Sequence, residues 1–271
     1  MKYLLICAAA LALLVLLYIF LICPSGRKRR TEAFFKECKY YAHRGLHGNG
    51  VPENSLAAFG LACEAGYGIE LDLHVTADGQ VAVFHDNTLN RMCGIDGRVE
   101  DKTLEELRGI CLANSKEHIP SFKEVLELVN GRVPLIIELK GEDLNVKVCE
   151  LAAELLADYK GKWCVESFNP FHVRWWRKHQ KNAVRGILSG GFEKSDKLII
   201  KLRNFVLGNM LLNFLARPDF VAFDLRSKYK LSFRVARVLG GYPVAWTARG
   251  EEDMRITEGD FNAVIFEDLL P

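Results

Sequence analysis

The segment Ile69-Glu70-Leu71-Asp72-Leu73 alternates apolar residues with acidic ones, and His74-Val75 extends it. Alternation with a period of two predicts a β-strand that carries Glu70 and Asp72 on the same face. Such a strand either lies at the edge of a sheet, with its acids in water, or lies inside the protein and brings two carboxylates into a site. The surrounding isoleucine and leucines favour the second arrangement.

The chain beyond residue 39 repeats the same kind of unit. Short β-rich runs alternate with helical patterns, which is the order expected of βα units on a parallel sheet. The predicted strands are Lys39–Ala42, Ile69–Val75, Val133–Leu139, Trp163–Ser167, Ala183–Leu188, Phe220–Phe223, Pro243–Thr247 and Ala263–Phe266. Helical patterns between them include Ser55–Ala65, Phe122–Asn130, Leu144–Tyr159 and Lys230–Leu239. This alternation favours a closed α/β barrel, the TIM (β/α)8 fold of roughly 250 residues, over an open doubly wound sheet.

Two segments depart from the alternation. Val81–Phe84 follows the second strand after the turn sequence Ala77-Asp78-Gly79, and we expect it to form a hairpin at the barrel mouth. Residues 194–215 are basic and apolar, and the leucine- and phenylalanine-rich run Met210–Leu215 is unusual for an exposed loop. The segment predicts either a helical insert that rests on a membrane surface or a barrel helix with its apolar face buried.

Composition agrees with one globular domain. Of the 271 residues, 49% are hydrophobic and 26% are charged, so the chain can bury a sizeable core and is unlike a disordered protein. A formal charge of +2, from 36 basic and 34 acidic residues, gives no support to a nucleic-acid partner, which needs a clustered basic surface. The 8 cysteines are scattered without a Cys-x-x-Cys pair, which favours a reducing compartment.

The first residues carry a membrane signal. Leu4–Cys23 is an unbroken apolar run, long enough as a helix to cross about 30 Å of hydrocarbon. A cleaved signal peptide has a shorter apolar region and a small-residue cleavage site, which Ile22-Cys23-Pro24 does not offer. Because Arg27-Lys28-Arg29-Arg30 follows the run, the positive-inside rule keeps that side in the cytoplasm. We therefore predict a single-pass membrane anchor with a basic linker (residues 1–30) and a cytoplasmic barrel domain (residues 31–271).

Charged residues gather where the predicted strands end, which is the face of a TIM barrel that carries the active site. The first strand runs into His43-Arg44-Gly45, and the second carries Glu70 and Asp72. The hairpin ends in His85-Asp86, and the third strand ends in Glu138-Leu139-Lys140. Because Glu138 and Lys140 also share a face, pairs of charged residues from neighbouring strands converge on one site.

Three carboxylates in one site repel one another unless a cation lies between them. Glu70, Asp72 and Glu138 supply only oxygen ligands, which the hard cations Mg²⁺ and Ca²⁺ prefer. The sequence therefore predicts a divalent-cation site and does not distinguish the two ions.

His43 and His85 are the candidate acid/base pair, because an imidazole titrates near neutrality. Each lies at the end of a β-rich run beside a charged residue. A lone histidine usually has a structural role, and that role is assigned to His47, His74, His118, His172 and His179. Arg44 and Lys140 suit the oxygens of a phosphate, but they would equally form salt bridges with the nearby carboxylates.

The stretch Pro52-Glu53-Asn54-Ser55 precedes a helical pattern. Asn54 or Ser55 would serve as the helix cap, since both residue types accept hydrogen bonds from the first turn. Glu53 would equally coordinate or orient catalytic groups, and the sequence leaves these interpretations open.

Taken together, these motifs resemble the glycerophosphodiester phosphodiesterase family, in a membrane-anchored bacterial form. The similarity lies in His43-Arg44-Gly45, Pro52-Glu53-Asn54-Ser55, Glu70-Leu71-Asp72, His85-Asp86 and Glu138-Leu139-Lys140, and continues in Ser167-Phe168 and Trp246-Thr247. The resemblance implies a TIM barrel, a divalent cation held by Glu70, Asp72 and Glu138, and His43 and His85 as acid and base. It also implies that Arg44 and Lys140 grip the phosphate, that Trp246 packs against the glycerol, and that the products are an alcohol and glycerol 3-phosphate.

Three positions depart from the family pattern. Ser55 stands where threonine is usual and keeps the hydroxyl. The last strand ends in Phe266-Glu267-Asp268-Leu269 rather than Thr-Asp-x-Pro, and Trp246-Thr247 continues into Ala248-Arg249 rather than Val-Asn. Because these positions lie at the rim of the barrel, we expect them to alter the choice of substrate more than catalysis.

Two other functions are compatible with the sequence. The anchor and the apolar insert suit a phospholipase of related architecture, of the lysophospholipase D or phosphatidylinositol-specific type, acting on an intact lipid. A membrane-bound binding protein that has lost its chemistry is disfavoured, because no residue of the implied catalytic set is missing. The motifs favour a water-soluble glycerophosphodiester as substrate, while the head group and the oligomeric state stay open.

Overall fold

A closed β-barrel forms the centre of the protein in the computed structural model, which describes residues 1–141, 144–192 and 195–271. The strands are β1 (Tyr40–Ala42), β2 (Gly68–Val75), β3 (Val81–Val83), β4 (Leu135–Leu139), β5 (Trp163–Ser167), β6 (Val184–Ser189), β7 (Phe220–Asp224), β8 (Tyr242–Arg249) and β9 (Ala263–Glu267). Their order is β1-β9-β8-β7-β6-β5-β4-β2, and parallel pairing of β1 with β2 closes the ring. This arrangement confirms the predicted TIM barrel.

The predicted hairpin is also present, because β3 pairs antiparallel with β2 through Leu73 and Val83. Strand boundaries differ from the prediction by a residue or two. The largest consequence is at β8, which continues beyond Thr247 to Arg249 and there pairs in register with Glu267 of β9. The two strand ends therefore reach the rim side by side.

Helices connect the strands and surround the barrel. They are α1 (Lys2–Ile22), α2 (Lys28–Phe35), α3 (Leu56–Ala65), α4 (Asn90–Cys93), α5 (Leu104–Arg108), α6 (Phe122–Val129), α7 (Lys147–Leu156), α8 (Pro170–His179), α9 (Leu198–Gly208), α10 (Asn213–Ala216), α11 (Leu231–Val238) and α12 (Gly250–Thr257), with 3₁₀ turns at Val99–Asp101 and Leu225–Ser227. Local sequence sets several starts: Ser121 and Glu124 form a capping box at α6, and Asn169 caps α8 ahead of a proline.

Aromatic residues fill the barrel at the amino-terminal ends of its strands. Phe35 of α2 stacks on Tyr242 with ring centroids 4.8 Å apart, and it meets Phe220 and Tyr41 edge-on at 5.3 and 5.8 Å. Phe35, Tyr41 and Phe220 are buried. The helix α2 therefore closes this end of the barrel with apolar surface, so polar chemistry is confined to the opposite end.

Among the described residues, α1 is the helix that is long and apolar enough to cross a membrane, judged by length and composition. It begins and ends slightly earlier than the predicted run. Most of α1 is exposed, but its last turn contacts the barrel domain. The Phe20 ring lies 5.5 Å from that of Phe214, and Asn213 Nδ2 donates a 3.2 Å hydrogen bond to the Ile22 carbonyl.

The segment that follows α1 is bound to the barrel rather than extended into solvent. Arg27 Nε donates to Asp219 Oδ1 at 2.8 Å, and Arg27 Nη2 donates to the Ala183 carbonyl at 2.9 Å. The Ser25 hydroxyl also donates to Asp219, which is fully buried. Since α2 starts at Lys28, it runs across the domain boundary expected at residue 30. The segment after α1 is consequently joined to the barrel by polar contacts that centre on the buried Asp219.

The predicted insert at residues 194–215 forms two helices, α9 and α10, and Lys194 itself lies outside the described residues. Met210 and Asn213 are buried, and α10 packs against α8 and the end of α1. Within the Met210–Leu215 run, Met210 and Asn213 are buried and the other residues are half-buried, so this run packs against neighbouring helices. The exposed apolar surface belongs to α9 instead, where Leu198 and Leu202 are 81% and 60% exposed.

Candidate active site

The carboxyl ends of β2, β4 and β5 carry a row of acids. Asp72, Glu138 and Glu166 are paired in register across these three strands. Laterally paired residues of parallel strands point to the same side of a sheet, so the three side chains enter the barrel together. Glu70 precedes Asp72 by one period and is also buried. Because β2 lies between β1 and β4, the alternative of an exposed edge strand is wrong.

Glu70, Asp72 and Glu138 each offer a carboxylate oxygen, and these oxygens lie within 4.8 Å of one another. An ion that binds oxygen ligands at roughly 2.0–2.6 Å spans such a separation. Burial, together with the charges of Asp72 and Glu138, raises the pKa of Glu70 well above its usual range. Burial also raises the pKa of Glu138 to about 7, against the opposing charge of Lys140. Buried oxygen donors whose mutual repulsion resists ionisation fit a hard divalent cation.

Two basic side chains partly compensate these acids. Lys140 Nζ lies 2.8 Å from both Asp72 Oδ1 and Glu138 Oε2. Arg44 Nε lies 3.6 Å from Asp72 Oδ2. Although burial opposes ionisation, the charges of Lys140, His85 and Arg44 hold the pKa of Asp72 well below its usual value. In this structure the salt bridges considered from the sequence are formed, and Arg44 also lines the cavity described below.

The stretch that precedes α3 supports the same acids. Ser55 is the cap of α3, since its side chain accepts from Ala58 N. Asn54 has a different role: its Nδ2 donates to Asp72 Oδ2 at 2.8 Å. Glu53 accepts a 2.8 Å hydrogen bond from Arg44 Nη1, so it orients Arg44. Of the alternatives left open by the sequence, the structure selects Ser55 as cap and gives Asn54 and Glu53 supporting positions.

The turn after β1 brings Arg44 into place. Arg44 has a positive φ of 56°, and its backbone N donates to Glu70 Oε2 at 3.1 Å. Gly45 follows with φ 82°, and a Cβ at this position would lie 2.8 Å from the Ala58 Cβ. Glycine is therefore required both by the backbone conformation and by the close approach of α3.

His43 follows β1 and is held by a distant carboxylate. Its Nδ1 lies 2.7 Å from Glu267 Oε2, and Arg249 Nη2 donates to the same oxygen at 2.7 Å. Its Nε2 lies 4.0 Å from Glu70 Oε2. Burial lowers the pKa of His43 to about 4, although the hydrogen bond to Glu267 opposes this shift. His43 is therefore neutral near pH 7, with Nε2 directed at the acidic cluster. Glu267, which the sequence places at the rim of the barrel, thus contacts His43 directly.

His85 repeats this arrangement with a sequence neighbour. Its Nδ1 lies 2.6 Å from Asp86 Oδ1, and Arg91 Nε donates to Asp86 Oδ2 at 2.7 Å. Arg91 Nη1 also donates to Glu53 Oε2 at 3.0 Å, which links this group to Arg44. Burial lowers the pKa of His85, while the charge of Asp72 opposes the shift. Each candidate histidine thus has a carboxylate at Nδ1 and an arginine behind that carboxylate.

A cavity of about 290 Å³ opens between these groups. Its polar side includes His43, His85, Glu70 and Glu138, and its apolar side includes Phe168 and Trp246. Trp246 is fixed by a 3.0 Å hydrogen bond from Nε1 to the Ala222 carbonyl and by edge contact with Phe168 at 5.5 Å. The cavity therefore offers a small polar ligand charged groups on one side and an aromatic wall on the other.

Sequence reasoning missed two members of the site. Glu166 is 1% exposed, lines the cavity, and neither of its carboxylate oxygens has a hydrogen-bond partner among the described residues. Burial and the charge of Glu138 raise its pKa well above the usual range. Period-two alternation along β5 would have directed Glu166 inward, because Val165 beside it packs outward. His47, assigned a purely structural role, lies 3.9 Å from Glu267 Oε1.

Comparison with known proteins identifies relatives of the whole barrel. Residues 43–268 match the model of the glycerophosphoryl diester phosphodiesterase family. A glycerophosphodiester phosphodiesterase of Caldanaerobacter subterraneus is 31% identical over 240 residues, covering 84% of this chain and 93% of the relative. The human protein named lysophospholipase D GDPD1 is 31% identical over 150 residues, covering 50% of this chain and 47% of the relative.

Solved structures share the fold. The glycerophosphodiester phosphodiesterase of Thermotoga maritima superposes with a TM-score of 0.64 at 26% identity, covering 84% of this chain and 94% of that one. A phosphodiesterase of Oleispira antarctica in complex with the product sn-glycerol-3-phosphate superposes with a TM-score of 0.69 at 22% identity, covering 86% of this chain and 94% of that one. Because the family match and the Caldanaerobacter relative span most of the chain, this protein belongs to the glycerophosphodiester phosphodiesterase family of hydrolases.

Proposed function

We propose that the protein is a metal-dependent enzyme that hydrolyses glycerophosphodiesters to an alcohol and sn-glycerol 3-phosphate. The proposal rests on the convergence, at the carboxyl end of the barrel, of the oxygen donors Glu70, Asp72 and Glu138 with two histidines that are each paired to a carboxylate. The sn-glycerol-3-phosphate in the Oleispira antarctica relative agrees with a small polar ligand for a barrel of this kind.

A bound Mg²⁺ or Ca²⁺ would supply Lewis acidity to a phosphoryl oxygen. Glu70, Asp72 and Glu138 would hold it, with Asn54 fixing one oxygen of Asp72. Arg44, oriented by Glu53, would bring its guanidinium fork to the phosphate, and Lys140 would add a second positive charge. The ring faces of Trp246 and Phe168 would contact the carbon side of the glycerol.

The two histidines divide the proton transfers. His43 is neutral near pH 7, so its Nε2 accepts the proton of the attacking oxygen. His85 takes the opposite role in its charged form, which Asp72 and Asp86 stabilise although burial lowers its pKa, and in that form it donates a proton from Nε2 to the leaving alkoxide. In both rings the carboxylate at Nδ1 leaves Nε2 as the atom that exchanges protons.

An intact lysophospholipid is the second candidate substrate. The human lysophospholipase D relative and the exposed apolar surface of α9 favour it. That relative covers only half of this chain, whereas the Caldanaerobacter glycerophosphodiester phosphodiesterase covers most of it. The water-soluble diester is therefore the substrate that we propose.

For the substrate and the metal, we expect the full chain in detergent to release glycerol 3-phosphate from glycerophosphocholine or glycerophosphoethanolamine after chelation and addition of Mg²⁺, Ca²⁺ or Mn²⁺. Glu70→Gln, Asp72→Asn and Glu138→Gln should each lose most activity, because a neutral amide lacks the charge that holds a hard cation. The metal affinity measured by calorimetry should fall by more than roughly 10- to 100-fold. That range is the usual effect of removing a residue that contacts a metal ligand rather than the metal itself.

The control for these variants is Glu127→Gln, at a solvent-exposed carboxylate paired with Lys123 on the same helix. It should bind metal and turn over as the unmodified chain does. Faster release of choline from lysophosphatidylcholine than from glycerophosphocholine would reject the proposed substrate. Turnover undiminished by chelation would reject the metal.

For the two histidines, we expect His43→Ala and His85→Ala each to lower kcat by about 10²- to 10⁴-fold, the usual contribution of acid/base catalysis. Metal affinity, measured by calorimetry, should persist in both, since neither histidine belongs to the proposed donor set. His118→Ala is the matched control, because this ring lies outside the cavity lining. Unchanged kcat in either variant would remove that histidine from the mechanism.

We also propose a location, with α1 anchoring the enzyme in the cell membrane and the barrel in the cytoplasm. The basic residues that follow α1 support this orientation, and the cysteines are free, as in a reducing compartment. Cys111 is exposed on the barrel domain and provides a probe.

For the orientation, a membrane-impermeant maleimide should fail to label Cys111 in intact bacterial cells that express the full chain. It should label Cys111 once the membrane is permeabilised, because the reagent then reaches the cytoplasm. Cys111→Ser identifies the signal of this residue among the other cysteines. Equal labelling of Cys111 in intact and permeabilised cells would place the barrel outside.

The helix α9 is the part of the insert that we propose to rest on the bilayer. Leu198, Leu202 and Phe205 recur at spacings of four and three, so they share one exposed face. Lys201 and Arg203 are exposed beside this face. The chain passes from α9 directly to α10, which contacts the end of α1. Apolar and basic groups near the anchor suit the lipid boundary.

For α9, a photoreactive p-benzoylphenylalanine in place of Leu202 should cross-link to phospholipid in native membranes, because the helix lies at their surface. The same residue in place of Leu61 is the control. Leu61 is 40% exposed on α3, which follows β1, and β1 lies across the barrel from β6, the strand that precedes α9. Equal lipid cross-linking at both positions, or none at position 202, would assign α9 to a solvent-exposed role.

A further inference from the structure

We propose that Glu267 is a positioning residue for His43, and that Arg249 in turn holds Glu267, so that the ends of β8 and β9 set the tautomer of a catalytic base. This inference rests on the proposed function of His43 as base. It concerns residues that the motifs at the other strand ends do not include.

The geometry begins with strand register. Arg249 and Glu267 are the last residues of β8 and β9, and they are paired across the two parallel strands. Their side chains meet with Arg249 Nη2 2.7 Å from Glu267 Oε2. Arg249 and Glu267, which belong to the two stretches at the rim that depart from the family pattern, are thus hydrogen-bonded to each other.

The same Glu267 oxygen, Oε2, lies 2.7 Å from His43 Nδ1. An ionised carboxylate only accepts hydrogen bonds, so Nδ1 carries the proton. The hydrogen bonds from His43 and Arg249 hold the pKa of Glu267 at about 2 although burial opposes this, so the group is ionised near pH 7. The unprotonated Nε2 then faces the cavity, 4.0 Å from Glu70 Oε2.

Without Glu267, the neutral ring of His43 has no fixed tautomer. The form with its proton on Nε2 lacks a lone pair at the atom that faces the cavity, so it cannot act as base there. Replacing the orienting aspartate of a serine protease triad by asparagine lowers kcat by about 10⁴-fold for this reason. Arg249 is half exposed and touches Glu267 rather than His43, so its removal loosens the carboxylate without removing it.

The other groups around Glu267 do not replace this contact. His47 Nε2 is 3.9 Å from Glu267 Oε1, too long for a hydrogen bond. Arg44 is engaged by Glu53, and its charge disfavours protonation of His43. Glu267 is the side chain for which a hydrogen bond to His43 is observed among the described residues.

The test uses the full chain in detergent with Glu267→Ala, the near-isosteric Glu267→Gln, Glu267→Asp and Arg249→Met. We expect Glu267→Ala to lower kcat by about 10²- to 10⁴-fold, with KM for glycerophosphocholine and calorimetric metal affinity unchanged. Glu267→Asp should recover part of the loss, because it restores a carboxylate, and Arg249→Met should show a smaller loss of the same kind. Glu251→Gln is the surface control, at an exposed acid that pairs with Arg255 on the same helix.

A second readout does not depend on turnover. Nitrogen-15 NMR of the histidine rings, with the His43 signals assigned by their loss in His43→Gln, should show the proton on Nδ1 in the unmodified chain. In Glu267→Ala the signals should shift toward the tautomer with the proton on Nε2.

A kcat within twofold of the unmodified chain in Glu267→Ala, or an unchanged tautomer, would overturn the inference. A higher KM together with a weaker metal affinity would show that Glu267 only maintains the shape of the site. That result would also overturn the inference. If the unmodified chain hydrolyses no glycerophosphodiester, the proposed function fails, while the NMR comparison still decides whether Glu267 sets the tautomer.

Discussion

Repulsion among buried carboxylates is the constraint on which the rest of this structure depends. Glu70, Asp72, Glu138 and Glu166 all enter the carboxyl end of the barrel and are at most 7% exposed. A pair of like charges 4 Å apart costs about 4 kcal/mol at an effective dielectric constant of 20, against a total stability of about 5–15 kcal/mol for a typical domain. Lys140 and Arg44 offset part of this cost, and a bound divalent cation would offset more. The raised pKa values of Glu70 and Glu166 show that protonation relieves part of it as well, and packing elsewhere in the domain supplies stability against the rest.

That stability comes from the opposite end of the barrel and from its outer layer. Tyr41, Phe220 and the α2 residue Phe35 are buried where the strands begin, so apolar side chains fill this end of the barrel. The outward residues of β2, Leu71 and Leu73, join the core between strands and helices. The strand β2 therefore contributes apolar side chains to the core and acids to the site, because successive side chains of a strand point to opposite faces of the sheet.

Each of the two histidines contacts a carboxylate that an arginine holds in turn, but the two carboxylates come from different parts of the chain. His85 takes its carboxylate from the next residue in the chain, and Arg91 ties that carboxylate to Glu53 and so to Arg44. His43 takes its carboxylate from the far end of the chain, through the last strand of the barrel. Closure of the barrel brings β9 next to β1, so the orientation of His43 depends on the complete fold.

The sequence by itself determined the long apolar helix at the start of the chain, the alternating strands and helices, and the acids of β2 and β4, because periodicity and short motifs are properties of residues close along the chain. It left undecided whether Asn54 or Ser55 caps α3 and which part of residues 194–215 exposes apolar surface. It also missed the contact of Glu267 with His43 and Arg249. Only the tertiary structure decided these points, since capping geometry, burial against α8, and the meeting of strand ends depend on register and packing between segments far apart in sequence.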